Sequence, residues 1–161
     1  MNTDIYTNEV LDQTHSIRYI HIKSTNTVGI LNRISSLMRR KKFNMEEVSV
    51  SFDTDNGAHI VIAIDTKQVD LEHVLKQLQK LHDVTCVDDV TDKFDKLFNS
   101  ISVTVDSEAE FDSFPMLPHR IIKRNGKIKG VFVATLAETT DLMHIIFEKK
   151  YEFRRQIIGL I

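Results

Sequence analysis

The sequence is poor in residues that staple a fold or carry out chemistry. It holds one cysteine in 161 residues, Cys86, so no internal disulfide can form. Cys86 lies in the apolar, strand-like run DVTCVDDV with no activating base nominated. It is expected to be a small core residue rather than a nucleophile. No apolar run is long enough to cross a bilayer, and the opening MNTDIYTNEV has no signal core, which points to a soluble, cytoplasmic protein with no membrane partner. Neither charge sign dominates. With 21 Lys and Arg against 23 Asp and Glu, the formal net charge is -2, which argues against a nucleic-acid binder. A Gly-rich phosphate loop, HExxH, paired CxxC and GxSxG are all missing.

What is present is a foldable pattern. Hydrophobic residues make up 42% and charged residues 27%, enough for a packed core. Residues 1–15 are polar and aperiodic, and read as a flexible leader. Residues 17–23 alternate around Ile20 and Ile22 as a strand does. Ile30, Leu31, Ile34, Leu37 and Met38 mark an amphipathic helix, and Arg39, Arg40, Lys41 and Lys42 suit the negative end of its dipole. Val48, Val50 and Phe52, then the turn 53–57, then Ile60, Ile62 and Ile64 describe a hairpin. Asp70 is a plausible cap for a helix carrying Leu71, Val74, Leu75, Leu78 and Leu81, and 83–90 reads as a strand. The order is βαββαβ, an α+β, ferredoxin-like domain over 16–92. After a linker at 93–99, a second and shorter βαββαβ-like set occupies 100–161. It has a strand at 101–105, a short helix or loop at 108–117 broken by Pro115 and Pro118, an Asn125-Gly126 hairpin, a helical face with Leu142, Ile145 and Ile146, and a closing strand from Phe153.

Seven histidines are scattered at 15, 21, 59, 73, 82, 119 and 144, with no helical metal-site spacing among them. His21 and His59 fall on strands expected to pair, where surface or interface roles are the usual ones. Asp88, Asp89 and Asp92 read as turn-capping, solvated carboxylates rather than a metal site. The informative stretch is 24–31, STNTVGIL, which joins the first strand to the first helix. Asn26 and Thr27 are good helix-start residues. Gly29 permits close approach to the backbone, and the unpaired N–H groups of a helix start suit a carboxylate. A plain structural role, with Asn26 capping and Gly29 relieving crowding, accounts for the same residues.

Asn26-Thr27-Val28-Gly29-Ile30-Leu31 resembles the N-x-x-G-[VI]-L signature of ACT domains. The longer run TVGILNRISSLMRRKKFNMEEVSV resembles acetolactate synthase (acetohydroxyacid synthase) small subunits through Arg33, Leu37, Arg40, Phe43, Asn44, Met45, Glu46 and Val50. VLKQLQKLHDVTCVDDVTD resembles the same family's second helix and fourth strand. The likeness covers about residues 17–92. Lys42 stands where the family usually has glycine, and 100–161 follows its C-terminal domain in element order only.

The resemblance implies a regulatory, non-catalytic subunit whose ACT domains pair edge to edge as a homodimer and bind a branched-chain amino acid, chiefly valine. Asn26 and Gly29, with Thr27 and Leu31 beside them, would hold the ligand; Asn44 would come from the facing chain; Val28 and Ile30 would receive the side chain. The family's small subunit activates a large catalytic subunit and transmits valine inhibition to it. Thiamine diphosphate, magnesium and flavin belong to that partner, and no cofactor is expected here. A stand-alone amino-acid sensor with another partner is the alternative. A small enzyme is weaker, because no acid–base pair or nucleophile is nominated.

Overall fold

The computed structural model describes residues 16–93 and 96–160, and the chain divides after Asp92 into two compact units. The expected leader at 1–15, with His15, lies outside the described residues, as do 94 and 95 of the expected linker.

The first unit runs β1 (Ile17–Thr25), α1 (Ile30–Arg40), β2 (Glu47–Phe52), β3 (Gly57–Asp65), α2 (Leu71–Gln79) and β4 (Val84–Asp89). Its sheet is antiparallel in the order β2-β3-β1-β4. The paired strands β1 and β3 set Ile20 opposite Ile62 and Ile22 opposite Ile60. All four, with Ile64, are fully buried against Ile34, Leu37 and Met38 of α1 and Val74 and Leu78 of α2. Helices with one apolar stripe and a strand with a two-residue period thus meet on one face. Asp70 caps α2 as expected, accepting from the Glu72 N–H at 3.0 Å.

The end of α1 explains the residue at 42. The Phe43 N–H bonds the Met38 carbonyl at 2.9 Å and the Lys42 N–H bonds the Arg39 carbonyl at 3.1 Å, closing a Schellman turn. Lys42 is the left-handed residue of that turn, with φ 59°. A side chain there is strained, and glycine is the residue the turn favours.

Cys86 corrects the expectation of a core thiol, because it is exposed. The register between β1 and β4 slips between Lys23 and Ser24. This bulge breaks the alternation, so both Val84 and Val87 pack on the core while Cys86 turns away. The aspartates after it do cap and pair. Asp89 accepts from the Thr91 N–H at 3.0 Å and hydroxyl at 2.6 Å, and Arg18 bridges Asp89 at 2.5 Å and Asp92 at 2.9 Å.

The second unit runs β5 (Leu97–Val105), a 3₁₀ turn (Glu108–Ser113), β6 (Arg120–Arg124), β7 (Lys127–Thr135), α3 (Leu136–Lys149) and β8 (Glu152–Leu160), with sheet order β6-β7-β5-β8. β5 begins at Leu97, inside the stretch read as linker, and α3 begins six residues before Leu142. The first helix of the pattern is reduced to the 3₁₀ turn, and Phe111 in it supplies the missing cover. Its ring lies where a Cβ on Gly130 would come within 2.5 Å. A capping box at Thr135 and Glu138 opens α3. Both units are thus antiparallel sheets carrying helical segments, the α+β class expected.

Three outcomes follow. Lys42→Gly should raise stability by about 0.5–1 kcal/mol in urea unfolding, the relief of left-handed strain exceeding the added chain entropy. Gly130→Ala should cost about 1–3 kcal/mol by displacing Phe111. Burial by itself raises the Asp89 carboxyl, but the Thr91 bonds and Arg18 overcome it and hold its pKa below the ordinary value. A depressed carboxylate stabilises above its unfolded pKa of about 4 and loses that contribution as pH falls through the folded value. Asp89→Asn should therefore cost stability at about pH 6 and little at about pH 2.

Candidate functional site

The strand-to-helix loop is held from three sides. The Thr25 N–H bonds the Asp83 carbonyl at 3.0 Å, the Asn26 N–H bonds the Asn56 carbonyl at 2.9 Å, and the Ile30 N–H bonds the Thr27 carbonyl at 3.1 Å. α1 opens at Gly29, which has φ 82° and gives the helix no side-chain cap. Asn26 therefore does not cap α1, a correction to the plain structural reading. The chain turns through the left-handed conformation at glycine before the helix can start, three residues further on. The result is a helix start whose first N–H groups have no intrahelical partner and no capping side chain.

Arg33 is the residue whose role the sequence did not assign. Its guanidinium reaches back one turn, donating to the Thr27 hydroxyl at 2.7 Å and meeting the Asp83 carboxylate at 2.5 Å. Asp83 follows α2 and its side chain is 16% exposed, so Arg33 ties the loop to the start of β4. The charge at Arg33 was visible in the sequence, but its reach to residue 83 is set by the pairing of β1 with β4.

Around this clamp, Val28 is fully in solvent, Asn26 is exposed, Leu31 is 40% exposed, and Ile30 is 5% exposed and packs in the core. The apolar groups left open at the loop are thus Val28 and Leu31. Asn44 lies elsewhere. It follows the other end of α1, donating to Glu46 Oε1 at 2.7 Å, beside an open cleft of about 430 Å³ floored by Met38, Phe43 and Met45 and edged by Arg39 and Lys42. α1 has 11 residues, so about 16 Å of helix separates Gly29 from the Asn44 end. The sheet sets the two ends about 20 Å apart. Thr25 lies opposite Gly57 and Glu47 opposite Ala63, six residues apart on β3. Within one copy, Asn26 and Asn44 do not meet.

The edge strand β2 runs between these two ends. Val48, Val50 and Phe52 are 40%, 37% and 62% exposed, and Glu47 is the strand's sole charge. An apolar edge with a single charge at its start is suited to pairing with another strand.

His21 and His59 do come together, on the face opposite the helices. Their rings stack at 5.1 Å, with Nε2 of His21 and Nδ1 of His59 2.9 Å apart. Asp53 Oδ2 lies 3.2 Å from the far nitrogen of His59, and its carboxyl is held below the ordinary range, chiefly by the Gly57 N–H. Among the described residues no three His, Cys, Asp or Glu side chains are grouped to hold a metal, and no helix is long and apolar enough to cross a membrane.

Comparison with known proteins follows the first unit. The family model for the AHAS small subunit-like ACT domain matches residues 20–86. The acetolactate synthase small subunit of Aquifex aeolicus is 35% identical over 74 residues, 45% of this chain and 38% of that protein. That of Bacillus subtilis is 32% identical over 78 residues, 47% of this chain and 45% of that protein. The match thus spans less than half the length of either relative. The crystal structure of the acetolactate synthase small subunit from Thermotoga maritima aligns with 90% of this chain and 94% of its own, at TM-score 0.62 and 18% identity, a likeness of fold.

Gly29→Ala should cost about 1–2 kcal/mol in chemical unfolding, since alanine must adopt the left-handed turn. Arg33→Ala should raise amide exchange across 26–29 with little change in the β1–β3 core.

Proposed function

From the match of residues 20–86 to the AHAS small subunit-like ACT domain, we propose that the chain is a non-catalytic regulatory subunit of acetolactate synthase. In this reading it activates a large catalytic subunit and lowers that activity when a branched-chain amino acid, chiefly valine, binds.

The observation that carries the proposal is the unclosed helix start at Gly29, beside the exposed Val28 and Leu31 and the unprotected edge of β2. With the Ile30 N–H taken by Thr27, the Leu31 and Asn32 N–H groups and the helix dipole suit the carboxylate of an amino acid, and an apolar neighbour suits its branched side chain. The edge supplies the second half. Antiparallel pairing of β2 with β2 of another copy sets the start of one strand against the end of the other. The start is next to Asn44. The end leads into the 53–57 turn, whose Asn56 carbonyl holds Asn26. Each Asn44 then faces the partner's loop, and one dimer has two equivalent sites. Asn26, Thr27, Val28, Gly29 and Leu31 of one copy and Asn44 of the other form the proposed pocket, with Ile30 anchoring the loop from the core. Valine inhibits in this scheme through its higher affinity for the less active arrangement of the assembly.

The test is calorimetric titration of the full chain with valine, leucine and isoleucine, followed by assay with an acetolactate synthase large subunit. Saturable valine binding is expected, weakened about tenfold or more by Asn26→Ala or Asn44→Ala with the melting curve unchanged. Val50→Lys, placing a charge on the edge, should give a monomer by light scattering and abolish binding at both sites. Binding with no effect on any large subunit would favour the stand-alone sensor. The absence of binding by all three amino acids would remove the feedback role.

A further inference from the structure

The two units have edge strands of opposite character. β2 reads EVSVSF, whereas β6 reads RIIKR, and all five residues of β6 are exposed. From 113 to 137 the chain has no acidic residue and carries five cations, Arg120, Lys123, Arg124, Lys127 and Lys129. Lys123 pairs with Glu108, and Lys127 approaches Glu152 at 3.7 Å. Arg120, Arg124 and Lys129 have no carboxylate within ion-pair distance among the described residues.

Among the described residues β6 pairs with β7 on one side only, and alternate backbone N–H and C=O groups along its outer side have no strand partner there. Ile121 and Ile122 point to opposite faces of this strand and are 40% and 41% exposed. A half-satisfied backbone edge with an apolar contact on each face fits an added strand. The cations define what kind. Antiparallel self-pairing of β6 centred on Ile122 sets Arg120 of each copy against Arg124 of the other, which like charge disfavours. The edge therefore rejects a second copy of itself, whereas glutamate or aspartate in the incoming strand would meet unpaired guanidinium and ammonium groups. The open sheet face beside it presents Ser100, Ser102, Thr104, Val131 and Val133; the aromatic of the β5 row, Phe98, sits opposite Thr135, four residues along β7 beyond the partner of Arg120, so no ring of these rows lies beside β6 for a nucleobase to stack on.

We propose that the β6 edge is a strand-addition site for an acidic, extended segment of a partner protein. Backbone hydrogen bonds would supply the attachment, and Arg120, Arg124 and Lys129 the selectivity. The site is separate from the loop at Gly29 and does not depend on amino-acid binding there.

The experiment is amide NMR of the isotope-labelled full chain titrated with a capped peptide alternating glutamate and valine. Its lysine counterpart, an N-methylated version unable to pair, and oligothymidylate serve as comparisons. Saturable shifts are expected at residues 120–124 with the glutamate peptide alone. The double variant Arg120→Glu/Arg124→Glu should weaken it at least about tenfold while keeping the parent's melting curve. Four results would each overturn the proposal. These are no saturable shift at β6, equal binding of the lysine or N-methylated peptide, a double variant that binds like the parent, or tighter binding of oligothymidylate at the same amides.

Discussion

Burial of the isoleucine block on β1 and β3 is the constraint from which the first unit follows. Ile20, Ile22, Ile60, Ile62 and Ile64 are all sealed by two helices. Each such side chain contributes about 1.5–3 kcal/mol when removed from water. That places β1 and β3 at the centre of the sheet and forces β2 and β4 outward. β4 is anchored at one end by Arg18 reaching Asp89 and at the other by Arg33 reaching Asp83. Among the described residues β2 has only one strand neighbour, and its apolar residues stay partly open. The exposed edge is therefore a by-product of where the strongest burial lies.

The same burial aims the loop that precedes α1. Ile30 is drawn into the core, so the helix begins there, and the chain must reverse direction in the short span from Thr25. A glycine in the left-handed conformation makes that reversal, and Arg33 locks it by gripping Thr27 from within the helix. A helix begun by glycine rather than by a capping side chain leaves its positive end for something else to satisfy.

Most of the element order in both halves was legible because apolar periodicity was strong: isoleucines at every second position on β1 and β3, and leucines at helical spacing on α2. Asp70 and the Asn125-Gly126 turn carried local signals that the structure uses directly. Three features were not legible, each because a distant contact decided it. Asn26 looked like a cap, but the start of α1 was set by Ile30 entering the core. Cys86 looked buried, but a one-residue bulge against β1 reversed the parity of β4. Phe111 sat in a segment weak in helical pattern, and only its fit over Gly130 shows that it replaces a helix. Of the candidate site, Gly29 and its neighbours were visible as a motif, whereas the Arg33 clamp and the separation of Asn44 needed the fold.

The rigid length of α1 has a consequence for how such a molecule would report concentration. Because a single copy holds its two polar ends about 16 Å apart, a ligand the size of an amino acid cannot bridge them within that copy. Any response that needs both ends is second order in the protein. Ligand occupancy would then depend on how much subunit is present as well as on how much ligand, and dilution would erase the response by parting the copies before the ligand ran out. The spacing of one short helix makes the abundance of the chain itself an input.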